Sequence, residues 1–292
     1  MEDLKNILLI VNPIAGDIDK GDLIRQVEEY TTQRSMQLKM YKTSGNDDEA
    51  NIAEILNTFD AHRVLIAGGD GSIKLLAEVM RDRAIPVGIL PTGSANGLAR
   101  NLELPQGIGE ALDVAMGHRL IDLDAICINN YLCLHMSDLG LNAELIQHYE
   151  QGNIRGKLGY IIQSIPTLIQ SGMPFTFEVT IGDNTYYEEG ILLAIANARK
   201  YGTGAIVNPE GQMDDGKFEV LVFKKFDMIE ILKTLREDAE HDPDFMKSFS
   251  TTQATIHCRR PVPFQIDGEY YDEVQDLNVS ILAKHLKVAV GR

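Results

Sequence analysis

The chain has 292 residues, 44% of them hydrophobic and 24% charged, with a formal net charge of −16. That length suits one large domain or two ordinary ones. The acidity speaks against nucleic acid as a partner and against simple electrostatic adhesion to an anionic membrane.

The N-terminal MEDLKNILLIVNP reads as a first strand rather than a leader. Residues 5–11, 37–43, 63–67 and 86–91 are strand-like runs; residues 22–33, 48–59 and 72–82 between them carry helical patterning. ANGLARNL (95–102) and IGEALDVAM (108–116) add two helices. Buried strands separated by helices predict a parallel α/β sheet. No run approaches the roughly 20 apolar residues that a bilayer crossing needs.

The texture changes near residues 121–128. Strand-like runs then dominate, at 174–182, 184–198, 217–223, 253–258, 263–271 and 277–283, with turn signals at Gly182–Asn184 and Asp267–Gly268. The fold class expected is α/β, with a parallel nucleotide-binding domain (1–123) and a mainly antiparallel β domain (124–292). The last residues return to the first domain, and the active site lies in the interdomain cleft. Cys127, Cys133 and Cys258 show no CxxC spacing, which argues against a disulfide framework or zinc site and suits a reducing cytosol. Exposed edge strands in the second domain are compatible with a homodimer.

Three small-residue loops follow predicted strands: Asn12–Gly16 (NPIAG), Ala67–Ser72 (AGGDGS) and Pro91–Gly97 (PTGSANG). In an open parallel sheet, ligands bind outside the carboxyl ends of the strands. Glycines bring backbone N–H groups close to phosphate, and a helix starting at Ser72 points its positive end at an anion. Ser72, Thr92 and Ser94 offer hydroxyls. Asp70 suits such a place if it holds Mg²⁺ or water, accepts a proton, or caps the turn. Neither GxGxxG nor GxxxxGK[ST] is present, so a Rossmann dinucleotide site and a P-loop are not supported.

Asn12-Pro13-x-x-Gly16, Gly68-Gly69-Asp70-Gly71-Ser72 and Pro91-Thr92-Gly93-Ser94-x-Asn96-x-Leu-Ala-Arg100 resemble the diacylglycerol kinase-type catalytic domain shared by bacterial lipid kinases and sphingosine kinases. NARKYGTG…VNPEGQMDDGKFEV and FQIDGE resemble segments of the same family's second domain. The resemblance implies an ATP-dependent lipid kinase of phospholipid metabolism. Its nucleotide would lie on Asn12, Pro13, Gly16, Thr43, Gly68, Gly69, Gly71, Ser72, Thr92, Gly93, Ser94 and Asn96. It also implies Asp70 and Glu269 as catalytic carboxylates, with Glu269 taking the proton of the lipid hydroxyl. A structural Mg²⁺ in the second domain would be held by Asp215 and the carbonyls of Gln212 and Lys217. Glu144 stands where sphingosine kinases read the lipid head group, and Arg100 is grouped with it on the substrate side.

Two positions depart from the family. Lys74-Leu75 replace a usual Asn-Glu pair, which argues against an NAD kinase and leaves Lys74 to reach phosphate or to be solvated. Gly97 stands where many bacterial members have Asp. Taken alone, Asp214-Asp215-Gly216 and Asp267-Gly268 also read as plain turns.

The run 155–175 has Leu158, Ile161, Ile162, Ile165, Leu168 and Ile169 at helical spacing, interrupted by Pro166. It either guides an acyl chain or dips into a bilayer, or packs on the second domain's sheet. The partners expected are a lipid acceptor, met by transient membrane contact from the cytoplasm, and no nucleic acid. A kinase for a soluble acceptor and a non-catalytic nucleotide-binding regulator are the competing readings.

Overall fold

Four strands open the chain: β1 (Asn6–Val11), β2 (Gln37–Lys42), β3 (Arg63–Gly68) and β4 (Val87–Pro91); β1, β3 and β4 are almost wholly buried, and β2, at the sheet edge, is half-buried to exposed. They pair in parallel in the order β4-β3-β1-β2. The computed structural model describes residues 4–16, 19–144, 146, 174–200, 206–225, 227 and 242–291. It divides into two units, Met1–Asp124 with Lys284–Arg292, and Ala125–Ala283.

In the first unit, helices α1 (Lys20–Gln33), α2 (Asp48–Thr58), α3 (Asp70–Val79), α4 (Gly97–Asn101) and α5 (Ile108–Ala115) alternate with the strands. Ile7, Leu9, Val11 and Leu65 pack with Leu23 and Val27 of α1 and Leu112 of α5. Burying apolar side chains at about 25 cal/mol per Å² drives this layering. Arg63, 2% exposed, donates to the carbonyls of Ala115 (2.7 Å) and Gly117 (2.9 Å) past the end of α5. A cation there meets the negative end of the helix dipole. The order of strands reverses at β1 and β3, which sets the loops leaving those strands side by side at the carboxyl edge, where an open α/β sheet takes its ligand.

The second unit is an antiparallel β sandwich. Its strands are β6 (Tyr131–Cys133), β7 (Met136–Gly140), β8 (Phe175–Ile181), β9 (Asn184–Gly190), β10 (Leu192–Ala196), β11 (Phe218–Phe223), β12 (Met246–Thr251) and β13 (Gln253–Ile266). Two strands run through both units, β5 (Leu120–Ile128) and the 21-residue β14 (Glu269–Ala289). The ladder runs β12-β11-β10-β7-β13-β14, with β8 on β13 and β9 on β8. Phe177, Leu193, Phe218, Phe264 and Leu277 are among its core residues. Near its end, β14 pairs in parallel with β4 through Val288 and Val87.

The structure differs from the predicted elements in several places. The run 184–198 is two strands, because the chain turns at Gly190–Ile191 to leave one pairing for another. A Cβ at Gly190 would stand 2.6 Å from the Phe223 carbonyl. The runs 253–258 and 263–266 fuse into β13 across a register shift between His257 and Val262. The helix expected from Ser72 starts at Asp70. The strands β5, β6, β7 and β12 have no counterpart among the predicted ones; β7, MSDLG, is buried at every position and so shows no alternation. The amphipathic run 158–169 lies outside the described residues. Among those described, no helix is long and apolar enough to cross a membrane. All three cysteines are free.

Candidate active site

Three of the first unit's loops lock into one another at the carboxyl edge of the sheet. After β1, the Asn12 side chain donates to Ser72 Oγ at 3.0 Å and its Oδ1 accepts the Ile14 N–H at 3.1 Å. The loop closes at Gly16, where φ is +59° and a Cβ would lie 2.3 Å from the Thr92 carbonyl. Only glycine fits there without moving the neighbouring loop. Lys20 Nζ donates to the Ala15 carbonyl at 2.6 Å and reaches that of Thr92 at 3.4 Å, stapling the first loop to the third.

The second and third loops touch backbone to backbone. A Cβ on Gly93 would meet Gly69 Cα at 2.5 Å. Asn96, in the left-handed region at φ 51°, folds back so that its Oδ1 accepts the Gly93 N–H (2.9 Å) and its Nδ2 donates to the Gly93 carbonyl (2.8 Å). Its side chain is therefore spent on shaping its own loop. Asp70 is likewise engaged: Oδ2 accepts the Gly97 N–H at 2.8 Å and Oδ1 the Leu98 N–H at 2.9 Å. The capping role open to Asp70 in the sequence proves to be toward α4, not toward its own helix. A carboxylate has further lone pairs, so these bonds leave room for a ligand.

On these loops one buried side-chain atom has no partner among the described residues. Thr92 is 1% exposed, and its hydroxyl is buried with no hydrogen-bond partner. Orphaned buried hydroxyls are rare, because each forfeits about 1–3 kcal/mol of hydration. Ser94 and Arg100 are exposed, and Lys74 is half-buried on α3.

A fourth loop follows β2. The Thr43 N–H donates to the Val11 carbonyl at 2.9 Å. Asp48, which carries no motif, is 5% exposed and organises the turn. It accepts from Tyr41 Oη (2.6 Å), the Gly45 N–H (2.7 Å) and the Ser44 N–H (2.9 Å). Burial pushes the Asp48 carboxyl up, but these hydrogen bonds outweigh it and hold its pKa below the usual value. An open cavity of about 350 Å³ lies here, lined by Gly45, Asp47, Asp48, Glu49, Ala50 and Leu75. A larger one, about 760 Å³, opens beside the starts of β1 and β2, lined by Lys5, Tyr30, Arg34 and His118 among others. Its size does not make it the site, since none of the glycine loops lines it.

In the second unit, Asp267 (φ 53°) and Gly268 (φ 88°) form the tight turn between β13 and β14. Positive φ at both positions is what a type I′ hairpin requires. The Asp267 carboxylate accepts three backbone N–H groups, from Leu134 (3.1 Å), His135 (2.9 Å) and Met136 (3.2 Å). The Gly268 N–H donates to Gln265 Oε1 (2.7 Å), and Gln265 Nε2 donates to the fully buried Asp138 at 2.5 Å. Asn142, two residues before the half-buried Glu144, donates to the same Asp138 oxygen at 2.7 Å. Glu269 follows this pinned turn and is exposed. Asp215, Gln212 and Lys217 lie on another exposed turn, where Gly216 has φ 76° and Asp215 Oδ1 accepts the Lys217 N–H at 3.0 Å. Among the described residues no three His, Cys, Asp or Glu side chains cluster as a metal site.

Two family models span nearly the whole chain. Residues 6–128 match the diacylglycerol kinase catalytic domain. Residues 137–290 match the YegS C-terminal NAD kinase beta sandwich-like domain. The chain belongs to the diacylglycerol kinase catalytic-domain family, of the YegS type. It is 24% identical over 296 residues to a probable lipid kinase YegS of Escherichia fergusonii, covering 98% of this chain and 96% of that one. Identity to lipid kinase YegS of Escherichia coli K12 is 23% over 295 residues, at the same coverage. A putative diacylglycerol kinase structure from Bacillus anthracis superposes with a TM-score of 0.80 at 19% identity, covering 100% and 99% of the two chains. A second structure from that organism gives 0.79 at 21%, covering 100% and 99%.

As a member of this family, the chain is a kinase. Its YegS-type β unit includes supports that sequence motifs do not mark. Asp138 and Gln265 hold the Asp267 turn, and in the first unit Lys20 and Asp48 hold two loops. Asp138 takes the amides of Gln265 and Asn142, Lys20 reaches the Thr92 carbonyl, and Asp48 takes the Ser44 and Gly45 N–H groups, so none of them shows as a motif in the sequence.

Proposed function

We propose that the chain transfers the γ-phosphoryl group of ATP to a hydroxyl of a lipid acceptor, diacylglycerol-like in class, with Mg²⁺. The three glycine loops interlocked at the carboxyl edge of the parallel sheet support a phosphate there. At the start of α3 the Ser72 and Ile73 N–H groups go to the Gly69 carbonyl, and those of Asp70 and Gly71 are the ones that face a ligand. Ser72, Ser94 and Lys74 lie on the same loops and helix. The acid-lined cavity after β2 repels phosphate and suits the nucleoside end.

Phosphoryl transfer has a loose transition state, so the protein's work is to position the groups and to handle charge. A Mg²⁺ carried with the nucleotide would neutralise charge on the phosphate oxygens, and the turn of the second unit would hold a separate, structural one. The donor set of Asp215 with the Gln212 and Lys217 carbonyls is all oxygen, which a hard cation prefers. Asp215 keeps one carboxylate oxygen outside its turn's hydrogen bond. Glu269 accepts the proton of the acceptor hydroxyl as that oxygen bonds to phosphorus and the bond to ADP breaks. The hairpin fixes its backbone while its side chain stays solvent-accessible. Asp70 ties the second loop to α4 and faces the phosphates from there. Glu144 reads the acceptor's polar head.

The test is Mg²⁺-dependent ADP release from ATP with detergent-dispersed diacylglycerol, a total lipid extract and NAD⁺ in parallel. Stimulation by lipid supports the proposal. Stimulation by NAD⁺ alone establishes a soluble-acceptor kinase, and ATP binding with silence everywhere establishes a regulator.

A further inference from the structure

Glu219 is an acid where a strand core is expected to be apolar. It lies on β11, in FEVLVF, and is 4% exposed. The next residue on its own face, Leu221, belongs to an apolar cluster with Met136, Ala194 and Ala196. Burying a carboxylate in such surroundings is costly unless its charge is answered. Only neutral donors answer it directly. Asn208 Nδ2 donates to Oε2 at 2.7 Å, and Ser250 Oγ, directly opposite on β12, donates to Oε1 at 2.9 Å. Among the described residues no lysine or arginine pairs with it.

The position of this pair in the chain explains it. Asn208 and Glu219 are 11 residues apart and flank the turn that carries Gln212, Asp215 and Lys217. Asn208 is itself fixed: its N–H donates to the Arg199 carbonyl at 3.2 Å, and its own carbonyl accepts the Gly211 N–H at 3.1 Å. A Cβ at Gly211 would stand 2.3 Å from Asn208 Nδ2, so the loop closes tightly over the amide.

We infer that Glu219 and Asn208 are positioning residues that set the cation affinity of the Gln212–Lys217 turn. Asn208 joins its two stems, and the buried Glu219 carboxylate supplies a negative charge that a divalent cation in the turn balances. The inference rests on the proposed use of that turn for Mg²⁺. It explains why the position holds glutamate although glutamine could make both hydrogen bonds.

The experiment is a titration of the full chain with Mn²⁺ as probe, without nucleotide, followed by electron paramagnetic resonance. Wild type, Asp215→Asn, Glu219→Gln, Asn208→Ala and Ser250→Ala are compared, with hydrogen exchange of residues 209–217 read alongside. Asp215→Asn is expected to lose saturable binding. Glu219→Gln should bind about tenfold more weakly, the lower end of the usual loss when a metal site's outer support is removed. Asn208→Ala should weaken binding comparably and speed exchange of the turn amides. Ser250→Ala, which keeps the charge, should stay within about threefold of wild type.

If Asp215→Asn loses binding while Glu219→Gln and Asn208→Ala bind like wild type, the inference is overturned and the turn's use for Mg²⁺ stands. If wild type shows no saturable site, or Asp215→Asn binds unchanged, the turn is not the cation site and both readings go together. Should Glu219→Gln not fold, Asn208→Ala decides by the same two readouts.

Discussion

Asp70 Oδ2 accepts the N–H of Gly97 at 2.8 Å, so the acid of the GGDG turn caps a helix that starts 27 residues later. Its other oxygen takes the next N–H, from Leu98, at 2.9 Å. The loops after β3 and β4 are thereby one mechanical piece, and any phosphate contact made by one is registered by the other.

Replacing Asp70 with asparagine turns one acceptor into a donor facing an N–H. The loss of half the cap is expected to lower stability by about 1–2 kcal/mol. For a chain this size that is a fall of a few degrees in melting temperature. Turnover should drop as well. Calorimetry of wild type and Asp70→Asn, each with and without ATP, checks both; an unchanged melting temperature would contradict the capping role.

Gly93→Ala puts a methyl group 2.5 Å from Gly69 Cα, and backbone rather than a flexible side chain stands in the way. The two loops must part. ATP affinity is expected to fall at least tenfold, with a loss of about 1–3 kcal/mol in stability. Equilibrium binding of a fluorescent ATP analogue measures the first, and denaturant unfolding the second.

Glu269 is exposed, at the first position of β14. Glu269→Gln is therefore expected to leave the melting temperature unchanged and to lower turnover about 10²–10⁴-fold, the usual worth of a general base. Steady-state ADP release with the lipid that supports wild-type activity is the assay. A variant as active as wild type would remove Glu269 from the mechanism.

Stability should weaken in mild acid through His285. Its ring donates from Nε2 to the Ala77 carbonyl at 3.0 Å, joining β14 to α3. Burial, helped by Arg81, pushes its pKa below 6.5, against the hydrogen bond to Ala77 and the nearby Glu78 and Asp82. The folded chain therefore binds this proton less readily than the unfolded one. Unfolding free energy should be level above 6.5 and fall as pH drops through and below it. Asp48, with its pKa below 3.8, loses its contribution only in stronger acid. Denaturant titrations from about pH 8 to about pH 5.5 should show a slope that His285→Gln flattens.

The alternation of strand-like runs and helical segments makes the parallel half of the fold readable, because both faces of such a sheet are covered and β1, β3 and β4 are nearly continuous apolar words. The β unit is less so. β7 reads MSDLG because Asp138 and Ser137 face partners inside the protein: Gln265 and Asn142 for the acid, the Gln265 carbonyl for the hydroxyl. A buried polar network erases the alternation that marks a strand. The glycine loops stand out by composition. What braces them does not: Lys20 at a helix start looks like any solvated lysine, and Asp48 looks like one more acid in an acidic chain. Asn96 shows the converse. It sits in a visible motif, yet its amide is occupied with Gly93.

The return of β14 to β4 also has a consequence for the order in which the molecule is made. Translation delivers β1 to β4 first, but their outer neighbour is supplied by residues near 288, after every strand of the sandwich has been synthesised. Until then Val87 and its neighbours present an unsatisfied edge, and His285 is not yet in place on α3. The first unit of the growing chain is an unfinished sheet for most of synthesis, and a fragment ending at Asp124 stays that way.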